Sequence, residues 1–259
     1  MCIGQSVGEG GVNARGDAVV VQVLLNFNRP PPLPPLGVDG GVGTLTKDAI
    51  REFQARVMQR PAPDGQVDPG GETLAALRRG IPPGAIDALM LRGIMPAATP
   101  AKVATYLPHL LTGMAGRDIS SKLRQAHFIA QLGHESGAFV FAEELASGDA
   151  YEGRANLGNT EPGDGRRFKG RGLIQLTGRS NYAAYGKAIG RDLLANPTLV
   201  ATDPVLAVDA ACWFWATRTI NPHADADDVE AVTRRINGGL NGLADRRDYL
   251  RRAKFFLGL

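Results

Sequence analysis

The heptapeptide GHESGAF, residues 133–139, ends an apolar helical run, QAHFIAQLGHE, with a carboxylate and then breaks it with glycine. On a helix, Leu132 stands three residues and Phe128 seven residues before Glu135, so all three share one face. A carboxyl bordered by apolar groups keeps its proton to higher pH than a solvated one, as a general acid working near neutrality requires. A glutamate at a helix end is otherwise a solvated or capping group, so Glu135 alone leaves both readings open. Other chemistry is sparse. The histidines, His109, His127, His134 and His223, are scattered, and no HExxH or Cys/His cluster marks a metal site, so no cofactor is expected. His134 reads as a hydrogen-bond partner near the acid. GDGRRFKGRG lacks the order of a phosphate loop, which leaves Arg171 free to anchor its own loop. The WFW triplet at 213–215 reads as core.

The elements around Glu135 are mostly helical. TPAKVATYLPHLL opens on Thr99 as cap with Pro100 in the first turn, and DPVLAVDAACWFWATR repeats the device with Asp203 and Pro204. DDVEAVTRRING carries a capping-box-like Asp227/Glu230 pair and ends on Gly238. RRFKGRGLIQLTG, with alternation and glycines, predicts a small hairpin or sheet. A helical domain with a small β element and a glutamate at a helix end has a lysozyme-like outline.

Upstream, DAVVVQVLLNFN predicts a helix capped by Asp17, followed by RPPPLPPLG, too proline-rich for helix or central strand. LTKDAIREFQARVM predicts a second helix with Leu45, Ala49, Phe53 and Val57 on one face, and ETLAALRR a short third. VDGGVGTLTKDAI and PDGQVDPGGETLAAL form a faint repeat, each a DG turn, a Gly-rich loop and a short helix. GIPPG, about residues 80–84, reads as the boundary. The fold expected is mainly α: a three-helix domain over 1–80, then a lysozyme-like helical domain with a small β element over 84–259.

Residues 6–80 resemble the small three-helix peptidoglycan-binding domain found at the ends of many wall hydrolases. The resemblance rests on Val38, Asp39, Gly40, Gly43, Thr46, Ala49, Ile50, Phe53, Gln54, Asp64 and Gly65; the proline run exceeds that domain's usual connection. Residues 84–259 resemble glycoside hydrolase family 19, which contains plant chitinases and many phage endolysins, through GHESGAF, GRGLIQLTGRSNY and INGGLNG in that order. The short loop between motifs is closer to the endolysin branch. The resemblance implies that Glu135 is the general acid, Glu144 the second carboxylate and Thr177 the hydroxyl that helps position the attacking water. It implies that Gln175, Asn181 and Asn237 hold the sugar chain, and that Arg246, or the adjacent Arg247, is the family's arginine near the acid. Plant members keep the second glutamate further from the first and carry a glutamate near the position of Asn241. Nine residues of unbroken helix would separate Glu135 from Glu144 by ~13.5 Å of rise on opposite faces, beyond the ~6.5–9.5 Å of an inverting pair. The helix must therefore end between them, and Gly137 is where it can. Glu143, Glu152 and Glu161 remain rivals for the second role.

The whole chain bounds the function. With 259 residues, 44% hydrophobic content and a net charge of +3, it is mildly basic, far from a nucleic-acid binder. The +3 lies wholly in residues 84–259 and suits an anionic polymer. Cys2 in the N-terminal tail and Cys212 inside ACWFWA do not resemble a disulfide framework. No leader pattern opens the chain, and no run reaches the roughly 18 apolar residues of a membrane span. The tail RRDYLRRAKFFLGL is a basic amphipathic helix, expected to pack its aromatics on the catalytic core without stable membrane insertion. Within these bounds, the two resemblances imply a monomeric, phage-type endolysin. It would bind bacterial peptidoglycan, hydrolyse β-1,4 bonds as an N-acetylmuramidase, and wait in the host cytoplasm until the inner membrane opens. A chitinase, a lytic transglycosylase and a non-catalytic wall-binding protein are the alternatives.

Overall fold

The computed structural model describes residues 2–259 and is mainly α-helical, with thirteen α-helices and one two-stranded sheet among the described residues. The chain divides into two compact units. Residues up to Thr99 join with Asp248–Leu259, and Pro100–Arg247 form the other.

The first unit begins with β1 (Val7–Gly8), α1 (Arg15–Phe27), α2 (Thr44–Arg56), β2 (Gln66–Val67), α3 (Glu72–Arg78) and α4 (Ala88–Ile94). β1 and β2 pair antiparallel, Val7 opposite Val67. The break lies beyond the 80–84 turn because α4 buries Met90, Leu91 and Ile94 and packs on α1. Asp17 does not cap α1, which starts two residues earlier. Its carboxylate instead accepts the backbone N–H of Gly4 and Gln5 at 3.1 and 2.8 Å. The inward face of α2 is Thr46, Ala49, Ile50, Phe53 and Gln54, whereas Leu45 and Val57, expected beside Ala49 and Phe53, are exposed.

The faint repeat has a physical cause, a buried glutamine on the helix before each turn. Gln22 on α1 donates to Asp39 Oδ1 (3.0 Å), Gly41 O (2.9 Å) and Thr46 Oγ1 (3.3 Å) and accepts from Gly40 N (2.8 Å). Gln54 on α2 donates to Asp64 Oδ1 (2.6 Å), Gln66 O (3.0 Å) and Thr73 Oγ1 (3.1 Å) and accepts from Gly65 N (2.9 Å). Each clamp thus ties a helix to its DG turn and to a threonine in the first turn of the next helix. Cys2 is wholly buried in this unit, which pushes its thiol up to about 12.

The second unit starts with α5 (Pro100–Gly116), α6 (Lys122–Glu135), the short α7 (Asp164–Arg167) and α8 (Arg179–Ile189). It continues with α9 (Leu199–Thr202), α10 (Pro204–Thr217), α11 (Asn221–Asp225) and α12 (Val229–Asn237). The final helix, α13 (Leu243–Leu257), begins in this unit, while its residues from Asp248 onward cluster with the first. Its aromatic end, expected to pack on the catalytic core, thus clusters with the first unit. Phe256 is buried in the first unit against Gly93, where a Cβ would stand 2.1 Å from the ring.

Asp203 caps α10 as read, its carboxylate accepting Val205 N at 2.9 Å. At α12 the cap is Asp228, one residue after the expected Asp227. Asp227 has φ +58 and bonds the buried His127 Nε2 at 2.9 Å. The predicted hairpin in RRFKGRGLIQLTG is reduced to two isolated bridges, Glu143 with Arg171 and Arg171 with Leu176. Left-handed backbone at Gly172 and Gln175 turns the chain too soon for a longer ladder. Trp213 and Trp215 are core, and Trp215 meets Phe128 of α6 edge-on at 5.3 Å.

Candidate active site

The helix carrying Glu135 is held at both ends by side chains. Ser121 caps α6, its hydroxyl accepting Arg124 N at 3.2 Å. At the other end Ala138 N donates to Gly133 O (2.8 Å) and Gly137 N to His134 O (3.2 Å), the paired bonds that close a helix through a left-handed glycine. Gly137 has φ +56, as its position requires, but Ala138 (+57) and Phe139 (+67) share that conformation, which side chains disfavour. Ser136 over-determines this turn by donating to Leu132 O (2.6 Å) and accepting from Phe139 N (2.9 Å). Ala138 and Phe139 bury fully.

Phe128 and Leu132 bury completely in the core, and the carboxylate of Glu135 faces a guanidinium in place of an apolar wall. Arg246 Nη2 donates to Glu135 Oε1 at 2.5 Å. Arg246 is itself buried, with Nη1 on Gln131 Oε1 and Nε on Asn241 O at 3.2 Å. The adjacent Arg247 instead donates to Glu230 at 2.6 Å. His134 Nδ1 lies 2.7 Å from Asp245 Oδ2, and its ring covers Gly242, where a Cβ would come within 2.0 Å of Cε1. Asn237 ties its own loop, donating to Asn241 O (3.1 Å) and accepting from Gly239 N (2.8 Å). The GHESGAF and INGGLNG motifs thus meet, and His134, Glu135, Asn237 and Arg246 form one set.

Glu144 anchors a second set. Its Oε1 accepts Tyr151 Oη at 2.9 Å and its Oε2 accepts Gly170 N at 3.1 Å, so it is half-buried and held, not a freely wetted loop residue. Burial, and then the bond to Glu144, raises the Tyr151 phenol above its ordinary value, so it donates as a neutral hydroxyl. Gly170 leaves room for two side chains, because a Cβ there would stand 2.9 Å from Gln175 Oε1 and 3.2 Å from Glu144 Oε2. Gln175 Nε2 donates to Gly172 O (2.9 Å), Thr177 Oγ1 to Gln175 O (2.8 Å) and Asn181 Nδ2 to Thr177 O (2.7 Å). The two sets are joined by the segment 136–143, through Phe141 N on Ser136 O (2.9 Å) and Gly172 N on Ala142 O (2.8 Å).

Two of the rival glutamates have structural duties. Glu143 accepts Arg171 Nε at 3.0 Å and pairs with Lys169 at 3.4 Å. Glu152 accepts Gly163 N (2.6 Å) and Gly165 N (2.7 Å), closing the loop that follows Tyr151. Glu161 is exposed. The same loop is pinned to α8 by Asn159, which donates to Tyr151 O (2.9 Å) and accepts Arg179 N (2.8 Å). Beside it, Arg179 grips buried Asp164 with two bonds of 2.7 and 2.6 Å. Sequence reading missed Tyr151, Asp245 and Gln131. Gln131 alone left a signal, a polar residue four before Glu135 on the same helical face.

Comparisons with known proteins point to one family. The family model described as "Chitinase class I" matches residues 112–240. A Haemophilus influenzae protein described as containing a glycosyl hydrolase family 19 domain is 39% identical over 157 residues, 49% of this chain and 76% of that protein. An Arabidopsis thaliana endochitinase is 40% identical over 119 residues, 46% of this chain but only 41% of the plant protein. Among solved structures, a bacterial family 19 chitinase superposes with a TM-score of 0.55 at 26% identity, covering 66% of this chain and 94% of that one. With its helical fold and the meeting of GHESGAF with INGGLNG, the chain belongs to glycoside hydrolase family 19.

Proposed function

We propose that this family 19 hydrolase is a modular endolysin that holds bacterial peptidoglycan with its first unit and hydrolyses the β-1,4 bond after N-acetylmuramic acid. The observation that carries the catalytic part is a pair of carboxylates, each fixed by its own partners, at either end of the tight turn: Glu135 on Arg246, Glu144 on Tyr151 and Gly170. In this reading Glu135 delivers a proton to the leaving oxygen, and Glu144 with Thr177 activates water on the opposite face, inverting the anomeric centre. Arg246 and His134 position the acid, while Gln175, Asn181 and Asn237 hold the sugar chain. Peptidoglycan is supported by the likeness of residues 6–80 to a wall-binding domain and by the positive charge concentrated in residues 84–259. The enzyme acts as a monomer from the host cytoplasm once the inner membrane is breached.

The second reading is a chitinase, favoured by the endochitinase names of the plant relatives. Mass spectrometry of products from purified sacculi and from chitin oligosaccharides separates the two. New reducing N-acetylmuramic acid ends are expected. Cleavage of chitin alone makes the chain a chitinase, and 1,6-anhydro ends replace hydrolysis by transglycosylation.

A further inference from the structure

The first unit contains a cavity of about 320 Å³ between α1, the proline run and α2. That volume lies at the lower end of small-ligand pockets, suited to a few small residues. Its apolar surface comes from Leu33, Phe53 and Val57, and its polar rim from Arg29, Glu52 and Arg56. The proline wall is stapled in place: Asn26 donates to Leu36 O (3.0 Å) and accepts Leu36 N (2.7 Å), and Leu33 N reaches Pro30 O (3.2 Å). A wall already fixed before binding lowers the ordering cost of the complex.

The rim is unbalanced in charge. Arg56 pairs with Glu52 at 2.7 Å, whereas Arg29 stands 3.9 Å from Glu52 and is aimed by the bond of its Nε to Pro34 O (3.1 Å). One carboxylate cannot neutralise two guanidiniums, so the rim favours an added anion, and a guanidinium matches a carboxylate in shape as well as charge. An apolar floor below that rim favours methyl-sized groups.

We infer that this cavity binds a short alanine-containing peptide through a free carboxylate, and that its occupant is the stem peptide of peptidoglycan. The inference rests on the wall-binding role proposed above for this unit. The test is calorimetric titration of the full chain with a free stem tetrapeptide (alanine, glutamate, a diamino acid, alanine) and separately with peptide-free glycan strands. Saturable peptide binding is expected, weakened about tenfold by Arg56→Glu and by Val57→Trp. Both sites are exposed (Val57 is 55% accessible), so thermal melting should match the parent. Unchanged peptide affinity in both variants, or binding of glycan strands alone, overturns the cavity's role. A Glu135→Gln chain that still sediments with sacculi but ignores the peptide refutes the cavity while leaving wall binding intact. A chain that binds neither refutes both.

Discussion

Gln54 in the first unit and Gln131 in the second are the same residue type, equally buried, and put to different ends. Gln54 closes its bonds on a turn, joining Asp64, Gly65, Gln66 and Thr73. Gln131 meets Thr233 on one side and Arg246 on the other, and Arg246 carries the bonding out to the partly exposed Glu135. A buried amide that finishes on backbone makes a rigid turn. One that finishes on a guanidinium fixes a reagent that still reaches solvent. Both satisfy the rule that buried polar groups be partnered, but only the second leaves chemistry available.

The comparison predicts where each substitution is felt. Glu135→Gln keeps an acceptor for Arg246 but has no proton to deliver, so turnover should fall by at least ~10³-fold with little change in melting temperature; a reducing-end assay beside a thermal melt reads both. Glu144→Gln should cost on the order of 10²-fold in kcat with KM little moved, and near-parental turnover would remove Glu144 from the reaction. Gln54→Ala strands several buried groups and should destabilise the first unit by about 2–3 kcal/mol, seen as a lower denaturant midpoint, while hydrolysis of short soluble substrates persists. Gln131→Leu should show the reverse: about a tenfold loss of kcat from a loosened Arg246, partly restored by Gln131→Glu, which keeps an acceptor there. If both glutamine variants lose only stability, the distinction fails.

The smallest effect concerns the loop behind Tyr151. The hydrogen bonds of Arg179 hold the Asp164 carboxyl below the usual carboxylate range. Between that lowered value and the ordinary one of about 3.9, the unfolded chain binds more protons, so stability falls as pH drops. The contribution is present above pH ~4 and lost as the folded carboxyl protonates. Thermal melts of Asp164→Asn should vary less with pH below that point than those of the parent.

Local chemistry was legible in the sequence, and convergence in space was not. The end of α6 and the break at Gly137 followed from capping rules, which act over a few residues. The repeat showed as DG turns, but its cause was hidden because a glutamine on a helix reads as a surface residue until its partners, 10 and 17 residues on, are known. Tyr151 lies in a stretch without periodicity, so nothing local tied it to Glu144. The expected apolar wall at Glu135 failed because sharing a helical face does not place a side-chain tip: Phe128 and Leu132 turn into the core, and Arg246 arrives from 111 residues away.

The two glutamine clamps also bear on how the chain tolerates insertion. From glutamine to aspartate the first spans 17 residues and the second 10, yet both finish on the same kind of turn. The amide itself fixes only the ends, so the two clamps accept intervals of different length, and the longer is the one that holds the five prolines. A clamp of this kind makes the connection an expandable site, where new surface can be added without renegotiating the fold on either side.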